Sequence, residues 1–162
     1  MMHASARPIL MIILLVAAAC LRAQSPPMFV GHAPVPDFSK VEIKTTRLAD
    51  DFYILEGVGG NRQPGTTSML TGPDGVLLVD SQFAPLTERL VAVIRKISNQ
   101  PIRFLINTHV HADHTGGNEN FAKLGVLIFS RDQLRARLEH PAPGPDGSPG
   151  RPAPAGIAGG YL

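Results

Sequence analysis

Three histidines and an aspartate fall within six residues, directly after a run of apolar residues. The run Ile102–Ile106 predicts a strand apolar enough to be buried on both faces, and the cluster that follows it is His109-Val110-His111-Ala112-Asp113-His114. The end of a buried strand is where an α/β sheet presents ligands and catalytic groups. The chain must therefore fold so that the strand is covered while this loop stays accessible.

The residue types in this loop are metal ligands. Zn²⁺ takes imidazole nitrogen and carboxylate oxygen, and a catalytic zinc keeps one position open for water. His109 and His111 are two residues apart and can face one ion in an extended turn, whereas Asp113 and His114 can face a neighbouring ion. Two such ions could share a hydroxide and polarise a substrate carbonyl. The alternatives are a surface loop that binds nothing and adventitious capture of nickel.

Apolar periodicity around the loop predicts an α/β layered domain over residues 41–140, with strands first and then helices alternating with strands. A Gly-Pro-Asp-Gly turn joins two strands in a hairpin, residues 57–65 are expected to be a flexible loop, and Ser130 with Gln133 is read as a capping box. Besides Ile102–Ile106, the predicted strands are Val41–Thr45, Phe52–Leu55, Thr66–Leu70, Val76–Val79 and Val126–Phe129, and the predicted helices are Pro85–Ile97, Asn118–Lys123 and Arg131–Glu139.

The two ends of the chain differ from its middle. Ile9–Leu21 is an unbroken apolar run that suits a signal peptide and is too short to span a bilayer, so residues 1–23 predict export to the periplasm or the medium. A buried helix is the alternative. A lipid anchor at Cys20 is a further one, although Ala17 stands where such signals place leucine. Residues 24–40 are interpreted as a Pro-rich linker, and residues 141–162 as a Pro/Gly-rich tail without order.

Charge and composition give no support to one large class of partner, the nucleic acids. The chain has 15 Lys and Arg against 13 Asp and Glu, scattered without a basic run, and it has no Trp on which bases could stack. Nucleic-acid binding is therefore unsupported, and a small-molecule substrate is expected.

The segment from Asn107 to Asn118 resembles the signature of the metallo-β-lactamase superfamily, and the similarity covers about Val41 to His140. The resemblance implies a four-layered αβ/βα sandwich of which only the first half is present. It also implies hydrolysis of an amide, ester or thioester by metal-activated water. Asp80, at the end of its strand, is similar to a residue that braces the metal loop, and an ordinary strand-end turn is the alternative.

The resemblance assigns His109 and His111 to a first zinc ion and Asp113 with His114 to a second. It also implies that Asp113 orients water or takes a proton. Family members draw further ligands from their second half, yet after His114 only His140 remains. We therefore expect a truncated zinc hydrolase. The alternatives are a non-catalytic metal-binding fragment, a thioester hydrolase of the glyoxalase II kind and a di-iron oxidoreductase on the same fold.

Overall fold

The computed structural model describes residues 36–143 and residue 147. The predicted signal over residues 1–23, the first part of the linker and nearly all of the predicted tail lie outside these residues. Within the described part of the chain, no helix is long and apolar enough to cross a membrane.

In the described part of the chain, six strands form a single sheet in which spatial order follows chain order. The first four strands pair antiparallel, and the fourth, fifth and sixth pair parallel. This confirms the prediction of a mixed α/β fold. The strands are β1 (Val41–Arg47), β2 (Phe52–Gly59), β3 (Thr66–Gly72), β4 (Gly75–Val79), β5 (Ile102–Ile106) and β6 (Leu127–Phe129).

Four α-helices lie among the strands from β4 onward, as an α/β arrangement requires. A 3-10 turn, Ala84–Leu86, carries Pro85 and leads into the first of them. Another 3-10 turn, Phe38–Lys40, lies within the predicted linker, where Arg89 donates hydrogen bonds to the carbonyls of Phe38 and Val41. The helices are α1 (Thr87–Ile97), α2 (Ala112–Thr115), α3 (Asn118–Lys123) and α4 (Asp132–Glu139).

The hydrophobic core lies between α1, α3 and one face of the sheet. Leu90, Val91 and Ile94 of α1 are buried together with Phe121 of α3. Leu90 and Ile94 lie one turn apart on the same face of the helix, and Val93 and Ile97 are only partly buried. The strand residues that complete this core are Leu55, Met69, Val76, Leu78, Leu105 and Ile128.

The opposite face of the sheet is apolar as well. Strand register places Leu70, Leu77, Phe104 and Leu127 side by side across β3 to β6. Leu70 is 43% exposed, Leu127 50% and Ile106 39%. The prediction that β5 is buried on both faces is therefore wrong for the described residues, because their helices cover only the other face.

Two local predictions are also wrong. The glycines at 57 and 59 belong to β2 rather than to a loop, since they pair with Ile43 and Val41 of β1 and only residues 60–65 are left to connect β2 with β3. Ser130 does not cap the last helix. The N-cap is Arg131, which makes no side-chain capping bond, and α4 begins at Asp132.

Candidate metal site

The site is built at the edge of the sheet where β4 and β5 end. Because these strands are parallel, the residues that follow them, Asp80 and Asn107, emerge at the same edge. Asp80 has φ of 66° and Gln82 has φ of 53°, and such left-handed backbone costs roughly 1–3 kcal/mol at each non-glycine residue. The chain is thus held in a strained bend at the point where it meets the histidine loop.

The carboxylate of Asp80 ties β4 to that loop. It is 5% exposed, and it accepts hydrogen bonds from the Thr108 backbone N–H at 2.8 Å and the Thr108 hydroxyl at 2.7 Å. Nδ1 of His114 lies 2.7 Å from Asp80 Oδ2. Since a carboxylate only accepts, the His114 ring proton is on Nδ1, which leaves Nε2 with its lone pair free for a ligand.

The same network fixes the tautomer of His109. The Thr108 hydroxyl has one proton and donates it to Asp80, so its oxygen accepts from Nδ1 of His109 at 3.1 Å. His109 therefore also presents an unprotonated Nε2. A single carboxylate thus orients two imidazoles, one directly and one through a hydroxyl.

The backbone of the loop is held equally firmly. The carbonyl of His114 accepts from the Ser81 N–H at 2.9 Å, the Ser81 hydroxyl at 3.1 Å and the Asn107 amide at 3.0 Å. Asn107 in turn pairs with the buried Asn118 through two reciprocal amide bonds of 3.2 and 2.7 Å. Sequence reasoning missed Ser81, Asn107 and Asn118 as bracing residues, because a lone Ser or Asn in a sequence carries no signal of this kind.

The four predicted ligands come together as two pairs of donor atoms. His109 Nε2 lies 3.1 Å from His111 Nδ1, and His114 Nε2 lies 3.4 Å from Asp113 Oδ2. Two ligands of one tetrahedral zinc, each bonded at 2.0–2.1 Å, lie about 3.3 Å apart. The spacing in each pair therefore fits two ligands of one ion.

A complete ligand set for either ion is not assembled by the described residues. Among residues 36–143 and 147, no group of three or more His, Cys, Asp or Glu side chains is arranged to hold one metal ion. The rings are nevertheless close, with the His109 centroid 3.8 Å from that of His114 and 4.7 Å from that of His111. The donor atoms suit a metal ion, but the described residues supply only two of them for each ion.

The electrostatics of the loop favour the neutral form of His109. The pKa of His109 is lowered from its ordinary value of 6.5, chiefly because burial penalises the charged ring and further because His114 and His111 lie beside it. A histidine must be deprotonated to bind a metal. His109 is thus ready to act as a ligand at a lower pH than a free histidine.

A glycine in the connection between β2 and β3 lies against the acidic ligand. Gly65 has φ of +114°, and a Cβ added there would lie 2.9 Å from the Asp113 carbonyl oxygen and 3.3 Å from its Cβ. Only glycine combines that backbone conformation with that approach. The connection therefore forms one wall around Asp113, a role that sequence reasoning did not assign to it.

Beside the histidine pair there is a cleft of about 520 Å³. Its lining includes His109 and His111 from the loop and Arg131 and Arg137 from the N-cap and body of α4. The two arginines were not predicted as site residues. They follow β6, which pairs parallel to β5 and brings the start of α4 to the same edge of the sheet.

Comparison with known proteins assigns the chain to a family. The model of the metallo-beta-lactamase superfamily matches residues 60–149, and the chain belongs to that superfamily. A solved metallo-beta-lactamase from Hirschia baltica superposes with a TM-score of 0.54 at 24% identity, over 70% of this chain and 52% of that one. At this identity the likeness shows the fold alone.

A linear primary-alkylsulfatase from Pseudomonas sp. is 35% identical over 73 residues. The match covers 41% of this chain and 14% of the sulfatase. The chain thus spans about half the length of the solved lactamase and a small part of the sulfatase. The six-stranded sheet corresponds to part of a metallo-β-lactamase fold, as the resemblance implied.

Proposed function

We propose that this chain contributes the first half of a two-zinc hydrolase site. His109 Nε2 and His111 Nδ1 would hold one ion, and Asp113 Oδ2 with His114 Nε2 would hold the second. The observation that carries the proposal is the spacing of these two pairs, 3.1 and 3.4 Å, each of which suits two ligands of one ion.

When bound, zinc supplies a water of lowered pKa that can attack a substrate at neutral pH. The residues of this chain would orient the metal ligands and the attacking water. Asp80 holds Nδ1 of His114, which leaves Nε2 available as a ligand, and through Thr108 it does the same for His109. Asp113, whose backbone carbonyl and Cβ lie beside Gly65, would use its carboxylate to orient the attacking water and take its proton.

The reaction class in this proposal is hydrolysis of an amide, an ester or a thioester. The name of the Pseudomonas relative adds a sulfate ester to these candidates. Export belongs to the proposal as well, since the apolar segment over residues 1–23 favours action in the periplasm or outside the cell.

A second candidate is metal binding without turnover. A catalytic zinc of this type takes three protein ligands and water, whereas the described residues offer two for each ion. We therefore expect weak zinc binding and hydrolysis near background for the 162 residues by themselves. Turnover requires ligands that lie outside the described residues.

The zinc site is tested by competition with a chromophoric chelator. His111→Ala should weaken zinc binding at least tenfold, because it removes one of two imidazoles from the first ion. His140→Ala, in an exposed histidine at the end of α4, should leave the affinity unchanged. An equal loss in both variants would show that the loop is not the site.

Catalysis is tested with a β-lactam, a thioester and an alkyl sulfate, each with and without chelator. The assay uses the chain itself and a fusion that carries the second half of the solved lactamase. Chelator-sensitive turnover by the fusion supports the hydrolase. Zinc binding by a folded fusion without any turnover selects the non-catalytic role, and robust turnover by the chain itself would refute the argument from ligand number.

A further inference from the structure

We propose that the cleft between the histidine loop and α4 binds the anionic head of the substrate. The ligand class is then an organic oxyanion, meaning a sulfate, carboxylate or phosphate attached to a short apolar group. The inference rests on the proposed function for its link to catalysis, and it rests on the arginines of α4 for the choice of ligand.

The position of the cleft is the first argument. It is about 520 Å³, within the range of small-molecule sites in proteins. Its lining includes His109 and His111, whose ring nitrogens are the proposed ligands of the first ion. A molecule bound in this cleft therefore lies against the reacting centre.

The charge of the arginines that line the cleft is the second argument. Arg131 and Arg137 are exposed, and none of the ion pairs among the described residues involves either of them. Arg135 of the same helix, by contrast, pairs with Glu139 at 2.6 Å. Among the residues that the structure describes, no acidic residue lines the cleft. Two permanent positive charges thus lie at the cleft, and no carboxylate of the described residues forms an ion pair with either of them.

The chemistry of guanidinium defines what they would bind. Its planar fork of N–H donors matches the oxygens of carboxylate, sulfate and phosphate, which it can hold with two parallel hydrogen bonds. Val110 and Leu134 also line the cleft and give it apolar surface. An oxyanion on the arginines would leave its organic part between these side chains and the histidines.

The test uses the metal-free 162-residue chain in the presence of chelator, so that its result does not depend on the zinc site. Hexyl sulfate, hexanoate and hexyl phosphate are titrated below their micelle concentrations, with hexyl acetate as the uncharged analogue, and backbone amide NMR shifts in α4 and the histidine loop are followed. We expect saturable shifts with at least one anion, none with hexyl acetate, and weaker binding at high salt. The anion that binds most tightly identifies the head group.

Arg131→Gln combined with Arg137→Gln should weaken anion binding at least tenfold while leaving zinc affinity unchanged. Arg95→Gln is the matched control, since Arg95 is an exposed arginine on α1 that lines a cleft without histidines. If the double variant does not fold, Arg131→Gln and Arg137→Gln are tested separately. Binding of no anion, binding undiminished without the arginines, or equal binding of hexyl acetate would overturn the inference. If the wild-type chain binds an anion that the arginine variant does not bind, and yet binds no zinc, the inference is supported and the proposed function is refuted.

Discussion

The carboxylate of Asp80 lies 2.7 Å from Nδ1 of His114, a residue 34 positions further along the chain. This contact joins the end of β4 to the loop after β5 and fixes which nitrogen of His114 is free. It also occurs at a residue with φ of 66°. The metal loop and the strained strand end therefore form one unit.

Replacing Asp80 by Asn should lower zinc affinity about 10- to 100-fold, the range found when a carboxylate behind a metal-bound histidine is lost. Asn tolerates left-handed backbone, so the bend should persist while the negative charge is removed. Competition titration with a chelator measures the change. Asp74→Asn, in the exposed turn between β3 and β4, is the control. Unchanged affinity in Asp80→Asn would mean that the carboxylate does not orient the ligand.

Replacing Gly65 by Ala should displace Asp113. The new Cβ would meet the Asp113 carbonyl at 2.9 Å on a backbone with φ of +114°, and we expect a loss of stability of at least about 1 kcal/mol together with weaker zinc binding. Urea unfolding and zinc titration measure the two effects. Gly72→Ala is the control, because a Cβ there meets nothing within 4 Å. Similar losses in both variants would contradict a specific contact with Asp113.

The metal-free protein should lose stability as the pH falls below about 6.5, in part through His109. The pKa of His109 is lowered in the folded state, so the unfolded chain takes up this proton first. The stabilising contribution is thus present above pH 6.5 and is lost as the pH falls through the lowered folded-state value. Urea unfolding between pH 7.5 and 5 measures the free energy of unfolding of wild type and of His109→Asn. As the pH falls, this free energy should decrease more steeply in wild type than in His109→Asn. The same pH dependence of the unfolding free energy in both proteins would show that His109 makes no such contribution.

Much of the fold and the ligands themselves could be predicted because their signals are local. The four ligand residues lie within one loop, and the turn at residues 72–75 specifies its own hairpin. Asp80 could be singled out only through the family resemblance, since nothing near it in sequence indicates that it contacts His114. Burial of β5 was overestimated because an apolar strand does not specify how many layers cover it.

The two arginines of the cleft could not be predicted, because their position depends on how distant segments pair in the sheet. Arg131 and Arg137 reach the histidine loop only because β6 pairs parallel with β5, with Leu105 opposite Ile128. That register is a property of the sheet rather than of either segment. The capping-box prediction was wrong for a local reason, because the helix begins at Asp132, one residue later than predicted, and its N-cap is Arg131.

The sequential order of the six strands bears on how the chain acquires its structure during synthesis. Each strand pairs with the one made just before it. The connections within β1–β4 are short, whereas β4 is joined to β5 by residues 80–101 and β5 to β6 by residues 107–126, so the later pairings close longer loops. We expect the sheet to assemble in the order of translation, with the β1–β4 part gaining protease resistance before β5 leaves the ribosome. Limited proteolysis of stalled nascent chains of increasing length would reveal this order. Protection that arises only after β6 has emerged would show that folding waits for the parallel strands.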